Sequence, residues 1–323
     1  MKRTITLILT LCLLCPLLGC AALAEEKPLY LALGDSISAG YGLGDPEKEG
    51  FVFLAADALG MEAANHAVSG YTAADVLRQL REGRLDDTVE KASLITLTIG
   101  GNDLLHVFYG EVAAAYGKET GDTVTTEDIQ KSLAGKGKEL DLFVLLGCAS
   151  KVLEDFAETE SFACALKAYE ENLTAVVSYL RERNPYCHIV VCSQYNPYES
   201  FAGTFYQGVY EGFEAGILKL NASIAKLGKE QGFYVAAVYD AFVKAEGNLC
   251  NADASDLLAP QLDFHPNKKG HALLAETVAA LAGSLPKPKP PAGDSSLLFW
   301  FALPLCLVGA VWKLAGMRVG EIV

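Results

Sequence analysis

The sequence predicts an α/β fold: a three-layer α/β/α sandwich around a central, mostly parallel sheet of five strands. Short apolar runs recur through the middle of the 323-residue chain. They are continuous rather than alternating, which is the pattern of strands buried on both faces. Helical patterns separate them, and strand–helix alternation builds a parallel sheet covered on both sides. Ligands of such sheets bind beyond the carboxyl ends of the strands, so the turns at those ends are where chemistry is to be sought.

The first run, 29–33, ends in Gly34-Asp35-Ser36-Ile37-Ser38-Ala39-Gly40. An apolar run closed by Gly, Asp and Ser reads as a buried strand feeding a tight turn, with Ser36 where a helix begins. A hydroxyl there can be a nucleophile, and its own N–H can help hold an oxyanion. Taken alone, such a turn is more often a plain strand–helix connection. The second run, 63–68, precedes Ser69-Gly70-Tyr71-Thr72 and a helical pattern over 73–81. The third, 94–99, leads into Gly100-Gly101-Asn102-Asp103.

Residues 106–160 are longer than a simple crossover and mostly helical in pattern. They predict a helical insertion after the third strand, read either as a lid beside the site or as an inert addition. A long helix over 162–183, a strand over 188–192, a helix over 209–231, a strand over 234–238 and a closing helix over 266–281 complete the order. Phe201, Phe205, Tyr206, Tyr210 and Phe213 come after Asn196-Pro197. They read as core, or as the wall of an acyl or sugar pocket.

Ahead of the closing helix stands Asp263-Phe264-His265-Pro266-Asn267. GDS, a Gly turn, GGND and a His before Pro, in that order, resemble the SGNH/GDSL hydrolases over about residues 29–281. The resemblance implies a flavodoxin-like fold and a carboxylic ester hydrolase, an esterase or lipase. It implies Ser36 as nucleophile, with Ser36 N–H, Gly70 N–H and the Asn102 amide as the oxyanion hole. His265 would be the general base that takes the Ser36 proton and returns it to the leaving alcohol. The commonest form of the family carries Asp three residues before the His, and here that position is Leu262. The nearest acid, Asp263, either orients His265 as a third catalytic residue or caps the closing helix near Asn267. In the second case a backbone carbonyl would orient the ring.

The implied substrates are O-acetylated glycans or short-chain and lysophospholipid esters. A non-catalytic surface binding protein on the same fold, or an acyltransferase, is the alternative, because fold alone does not secure function. Asp35 reads as a partner within its turn, Asp103 as a cap for the segment after GGND, and His271 as a closing-helix residue away from the chemistry. His106 and His188 have no partners at metal-ligand spacing, and no glycine-rich phosphate loop stands out. No cofactor and no metal are expected.

The formal net charge is −14; without residues 1–24, which carry Lys2 and Arg3, it is −16, and without 297–323 as well it is −17. So acidic a chain argues against nucleic-acid partners and against electrostatic docking on anionic lipid. Residues 1–24 read as a signal peptide: Lys2 and Arg3, an apolar run over 5–18, and Ala22-Leu23-Ala24 as the cleavage site. Leu17-Leu18-Gly19-Cys20 offers lipidation at Cys20 as the competing reading. Residues 25–285 form the hydrolase domain, and 286–296 a stiff Pro/Lys-rich linker.

Residues 297–315 read as a C-terminal transmembrane anchor, with Lys313 and Arg318 on the cytoplasmic side. Pro291-Ala292-Gly293-Asp294 looks like a degraded cell-wall sorting motif. The expected location is the bacterial cell surface. Five of the nine cysteines, Cys148, Cys164, Cys187, Cys192 and Cys250, fall in the hydrolase domain. An odd number leaves at least one thiol without an intrachain partner. Cys192 reads as a small buried hydrophobe, and Cys148 and Cys164 as candidates for a bridge.

Overall fold

The structure, a computed structural model, describes residues 27–133, 140–256 and 260–286. The expected signal peptide, Cys20, nearly all of the expected linker and the expected anchor lie outside the described residues. Among the described residues no helix is long and apolar enough to cross a membrane. The compact unit ends at Leu285.

The elements run β1 (Leu29–Gly34), α1 (Ser36–Ala39), α2 (Pro46–Glu49), α3 (Phe51–Leu59), β2 (Glu62–Asn65), α4 (Ala73–Arg81), α5 (Asp86–Lys91), β3 (Ala92–Thr98) and α6 (Gly101–Thr120). Then come α7 (Thr126–Leu133), α8 (Leu142–Leu153), a 3₁₀ turn Phe156–Glu158 and α9 (Glu160–Arg183). After β4 (His188–Cys192) come α10 (Gln207–Gln231), β5 (Tyr234–Ala236), α11 (Val238–Lys244) and α12 (Lys268–Ser284). The sheet order is β2-β1-β3-β4-β5. All four pairings are parallel, with Leu31 beside Ala64 and Ile95, Ile95 beside Ile189, and Val191 beside Val235. The chain leaves β1 toward one edge and returns at β3 on its other side, so the β1–β3 junction is a topological switch point, where α/β sheets bind ligands.

Alternation along each strand divides the core in two. Leu31, Leu33, Ile95, Leu97, Ile189 and Val191 face one side, against Val76 and Leu80 of α4, Val112 of α6, Val177 of α9 and Leu220 of α10. Tyr30, Ala32, Leu94, Val190 and Ala236 face the other, against Phe51 of α3, Phe242 of α11 and Leu274 and Val278 of α12. Each fully buried Leu, Ile or Val side chain contributes roughly 1.5–3 kcal/mol, so neither layer is dispensable.

The element boundaries differ from the apolar runs for physical reasons. The run over 234–238 is a strand only to Ala236, and Val238 opens α11, buried on the α12 side. Periodicity cannot separate a short buried strand from the first turn of a buried helix. The closing helix starts at Lys268, because Asn267 caps it by accepting from the Lys269 and Gly270 N–H groups. The insertion is helical as expected: α7 and α8 pack on α6, and α8 also packs on α10.

Candidate active site

The Ser36 turn is built by the junction of β1 and β3. Gly34 has φ +130°, and a Cβ there would lie 2.3 Å from the Thr98 carbonyl oxygen. No other residue fits that approach. The next N–H, of Asp35, donates to that same carbonyl at 3.0 Å. The Asp35 carboxylate caps α1, accepting from Ile37 N–H at 3.0 Å and from the Thr98 hydroxyl at 2.9 Å. Asp35 is therefore the partner within its own turn that the sequence suggested. Burial pushes its carboxyl up to about 7, against the hydrogen bonds from Ile37 and Thr98. Ser36 is the first residue of α1 and is itself buried.

His265 and Asp263 arrive from the long segment between α11 and α12. That segment folds back on itself: Asn251 N–H donates to the His265 carbonyl at 2.9 Å, and Asp253 and Gln261 exchange both backbone hydrogen bonds. Two tyrosines beyond β4 pin the returning strand, with Tyr195 Oη donating to the Phe264 carbonyl at 3.2 Å and Tyr198 Oη to the Leu262 carbonyl at 3.1 Å. The His265 ring packs against those of Tyr41 and Phe264, each centroid 4.4 Å away.

In that position His265 Nε2 is 3.0 Å from Ser36 Oγ, and Nδ1 is 2.6 Å from Asp263 Oδ1. Asn251 Nδ2 donates to Asp263 Oδ2 at 3.0 Å. Partial burial pushes the Asp263 carboxyl up, but the hydrogen bonds from the His265 ring, the His265 N–H and Asn251 outweigh it and hold it below the usual carboxylate value. A carboxylate at Nδ1 favours the proton there, which leaves Nε2 free to accept from a hydroxyl. Of the two roles open to Asp263, the structure has it bonded to His265, while Asn267 caps the helix.

Gly70 lies in an exposed turn at φ +85°. That turn is tied to the Ser36 turn by a hydrogen bond from Val68 N–H to the Gly34 carbonyl at 3.0 Å. Asn102, the second residue of α6, is buried, and its Nδ2 donates to the Tyr71 carbonyl at 3.0 Å. Ser36 N–H is one of the groups that a helix start leaves without an intrahelical partner. Three turns, after β1, β2 and β3, thus bring Ser36, Gly70 and Asn102 to the carboxyl end of the sheet.

Asp103 does not cap its own helix. It accepts from Ala73 N–H at 3.2 and 3.1 Å, at the start of α4, and burial pushes its carboxyl up to about 6. As the third residue of α6 it projects toward its neighbour's amino end, where a carboxylate is also favoured. His271 is fully buried, with Nδ1 accepting from Phe51 N–H at 3.3 Å. Among the described residues no cluster of His, Cys, Asp or Glu could hold a metal ion. The five cysteines among the described residues are free thiols, so Cys148 and Cys164 form no bridge.

A cavity of about 90 Å³ opens beside Ser36 and Asn102 and runs between α6, α9 and α10. Of the five aromatic residues named after Asn196-Pro197, Phe213 lines it. Phe201 is fully buried in a separate cluster, with Tyr206 and Tyr210 packed on it, and Phe205 is 85% exposed. Leu153 and Phe156 of the insertion also line the cavity, so the insertion is part of the site's surroundings.

The model of the GDSL-like lipase/acylhydrolase family matches residues 32–273. The uncharacterized protein YpmR of Bacillus subtilis (strain 168) is 25% identical over 262 residues, 79% of this chain and 81% of that one. Among solved structures, phospholipase A1 from Streptomyces albidoflavus NA297 superposes with a TM-score of 0.51 at 21% identity, over 79% of this chain and 99% of its own. An extracellular lipase from Streptomyces rimosus gives 0.50 at 20% identity, over 78% and 99%. The lipase Lip_vut3 from a goat rumen metagenome gives 0.50 at 20%, over 79% and 97%. The structural likenesses are likenesses of fold.

Proposed function

Because the chain belongs to the GDSL-like lipase/acylhydrolase family and is a carboxylic ester hydrolase, we propose that Ser36, His265 and Asp263 carry the reaction, with Ser36, Gly70 and Asn102 as the oxyanion hole. The observation that carries this reading is the unbroken line of hydrogen bonds from Ser36 Oγ through the His265 ring to Asp263. A serine hydroxyl is a weak nucleophile without an adjacent base. Here Nε2 takes its proton as Oγ bonds to the ester carbonyl carbon. Negative charge develops on the former carbonyl oxygen, toward Ser36 N–H, Gly70 N–H and Asn102 Nδ2. Collapse expels the alcohol, which receives the proton from His265, and leaves an acyl group on Ser36. Water, deprotonated by the same nitrogen, releases the acid and restores the serine. Asp263 stabilises the imidazolium that forms at each step.

Export and anchoring belong to the same proposal. They rest on Lys2, Arg3 and the apolar run of residues 1–24, and on the charge-free apolar run from Leu297 to Trp312 before Lys313. The substrates met there are esters of the cell envelope. Digestion of intact cells by added protease tests the location: loss of the hydrolase domain is expected, and full protection contradicts it.

Hydrolysis of p-nitrophenyl esters by the full chain, beside Ser36→Ala and His265→Ala, tests the chemistry. Turnover by the parent and a loss of at least about 10³-fold in both variants is the expected result, in line with the effect of removing one member of a catalytic triad. Undiminished turnover in either variant contradicts it.

A further inference from the structure

Resting on that reading of Ser36, we propose that the acyl half of the substrate is an extended alkyl chain longer than acetyl, held in the cavity between α6 and α10, with Gly212 and Gly216 in its wall.

The direction of the substrate is set by where the proton must go. The leaving alcohol takes its proton from His265 Nε2, so it lies on the His265 side of Ser36. The cavity begins at Ser36 and Asn102 and is lined farther along by Leu105 and Phe108 of α6, with Phe264, the neighbour of His265, also in its wall. The acyl group, which becomes bonded to Ser36 Oγ, is then the half of the ester that enters the cavity, beside the apolar residues of α6.

The chemistry of the wall selects the chain. The polar side chains of the lining cluster at the reacting end. Asp35 adjoins Ser36, Gln194 lies beside Gly101, and the Tyr195 hydroxyl is bonded to the Phe264 carbonyl. Beyond them the lining is apolar, including Leu105, Phe108, Phe156, Phe162, Ile217 and Leu220. Phe156 meets Phe162 edge-on at 5.3 Å and Phe108 at 5.5 Å between centroids, so these rings brace one another into a fixed wall. An acetyl group would leave this wall unfilled, and a sugar hydroxyl placed there would lose its hydrogen bonds to water without replacement.

Two glycines of α10 line the cavity where α8 and α9 approach it. A Cβ at Gly212 would stand 2.7 Å from Leu153 Cβ, and one at Gly216 would stand 3.3 Å from Phe162 Cε2. Glycine within a helix costs stability relative to alanine, and both positions lie inside a 25-residue helix. Their lack of a side chain lets Leu153 of α8 and Phe162 of α9 pack directly on α10 at the cavity wall.

The test is the chain-length profile of p-nitrophenyl acetate, butyrate, octanoate and dodecanoate with the full chain. Each fully buried methylene is worth about fourfold in binding, so two give about fifteenfold, and kcat/KM for octanoate should exceed that for acetate by at least about tenfold. Gly216→Val should cut the octanoate-to-acetate ratio by about tenfold. Phe156→Leu, which keeps an apolar side chain and opens the far wall, should raise dodecanoate relative to octanoate and decides the matter if Gly216→Val does not fold. Labelling with a small fluorophosphonate reports a competent Ser36 independently of the cavity. A labelled, active enzyme that prefers acetate, or whose profile neither variant moves, overturns the acyl-chain proposal and leaves the esterase reading standing. An enzyme that neither hydrolyses any of these esters nor takes the label overturns both.

Discussion

Asp263 stands two residues before His265 and still reaches its ring, with Oδ1 2.6 Å from Nδ1. The same oxygen accepts the His265 backbone N–H at 3.1 Å. A carboxylate that accepts from the N–H two residues on forms an Asx turn, a conformation local to the Asp itself. The turn folds the side chain back along the chain and brings it level with the imidazole. Leu262, at the position three residues before, needs no polar group, and its carbonyl is held instead by Tyr198 Oη.

Asp263→Asn should therefore keep the turn and lose the charge. The amide oxygen can still accept from the backbone, but it cannot stabilise an imidazolium. A fall in kcat of about 10²–10⁴ is expected, as for the acid of other serine triads, with a melting temperature close to the parent's. Steady-state kinetics and a thermal melt check both halves. Asn251→Ala, which removes the hydrogen bond to Asp263 Oδ2, should cost less, about tenfold, because two bonds to Asp263 remain.

Asn102→Ala removes one donor from the site of developing charge. Loss of a single oxyanion donor typically costs about 10²–10³ in kcat. KM for p-nitrophenyl butyrate should change little, since that donor matters most in the transition state.

Asp35 is predicted to act through the position of Ser36. Asp35→Ala removes the α1 cap and should destabilise the protein by about 0.5–2 kcal/mol. Asp35→Asn keeps an acceptor and should do so less. The pH dependence separates charge from cap. Burial lifts the carboxyl to about 7 from 3.8, so between those values the folded state binds more protons than the unfolded one. Its contribution then falls as pH rises through that window. Denaturant unfolding should show Asp35→Asn gaining on the parent from pH 4 to pH 7, and a constant difference would contradict this.

His271 should act in the opposite sense. Burial, and secondarily the neighbouring His265, lowers its value from 6.5 to about 4. Between those values the unfolded state binds more protons, so stability is lost as pH falls from 6.5 toward 4, by about 3 kcal/mol at roughly 1.4 kcal/mol per unit. Unfolding free energies at pH 7, 5 and 4 for the parent and His271→Gln check this, and the variant should lose less on acidification.

Much of this site is legible in the sequence because its turns are local. Gly34-Asp35-Ser36, the Gly70 turn and Gly100-Gly101-Asn102-Asp103 each come after an apolar run, and a parallel sheet brings the carboxyl ends of its strands together whatever else the chain does. Residues that act across distance are not legible. Asn251, Tyr195 and Tyr198 hold the His265 segment through contacts 12 to 69 positions apart, and no spacing rule points to them. Asp103 has the right residue type for a cap and serves a different helix, because a cap in space need not be a cap in sequence. The cavity is half visible: the aromatic cluster stands out in the sequence, but only packing decides that Phe213 faces the site and Phe201 the core.

The central claim is that the ester's acyl group passes through Ser36. Peptide mapping by mass spectrometry of the full chain, after reaction with a small fluorophosphonate, tests it most directly. The account predicts one adduct, on Ser36, formed in step with loss of esterase activity and slowed in His265→Ala. Complete loss of activity with Ser36 unmodified, or an active Ser36→Ala variant, would contradict it.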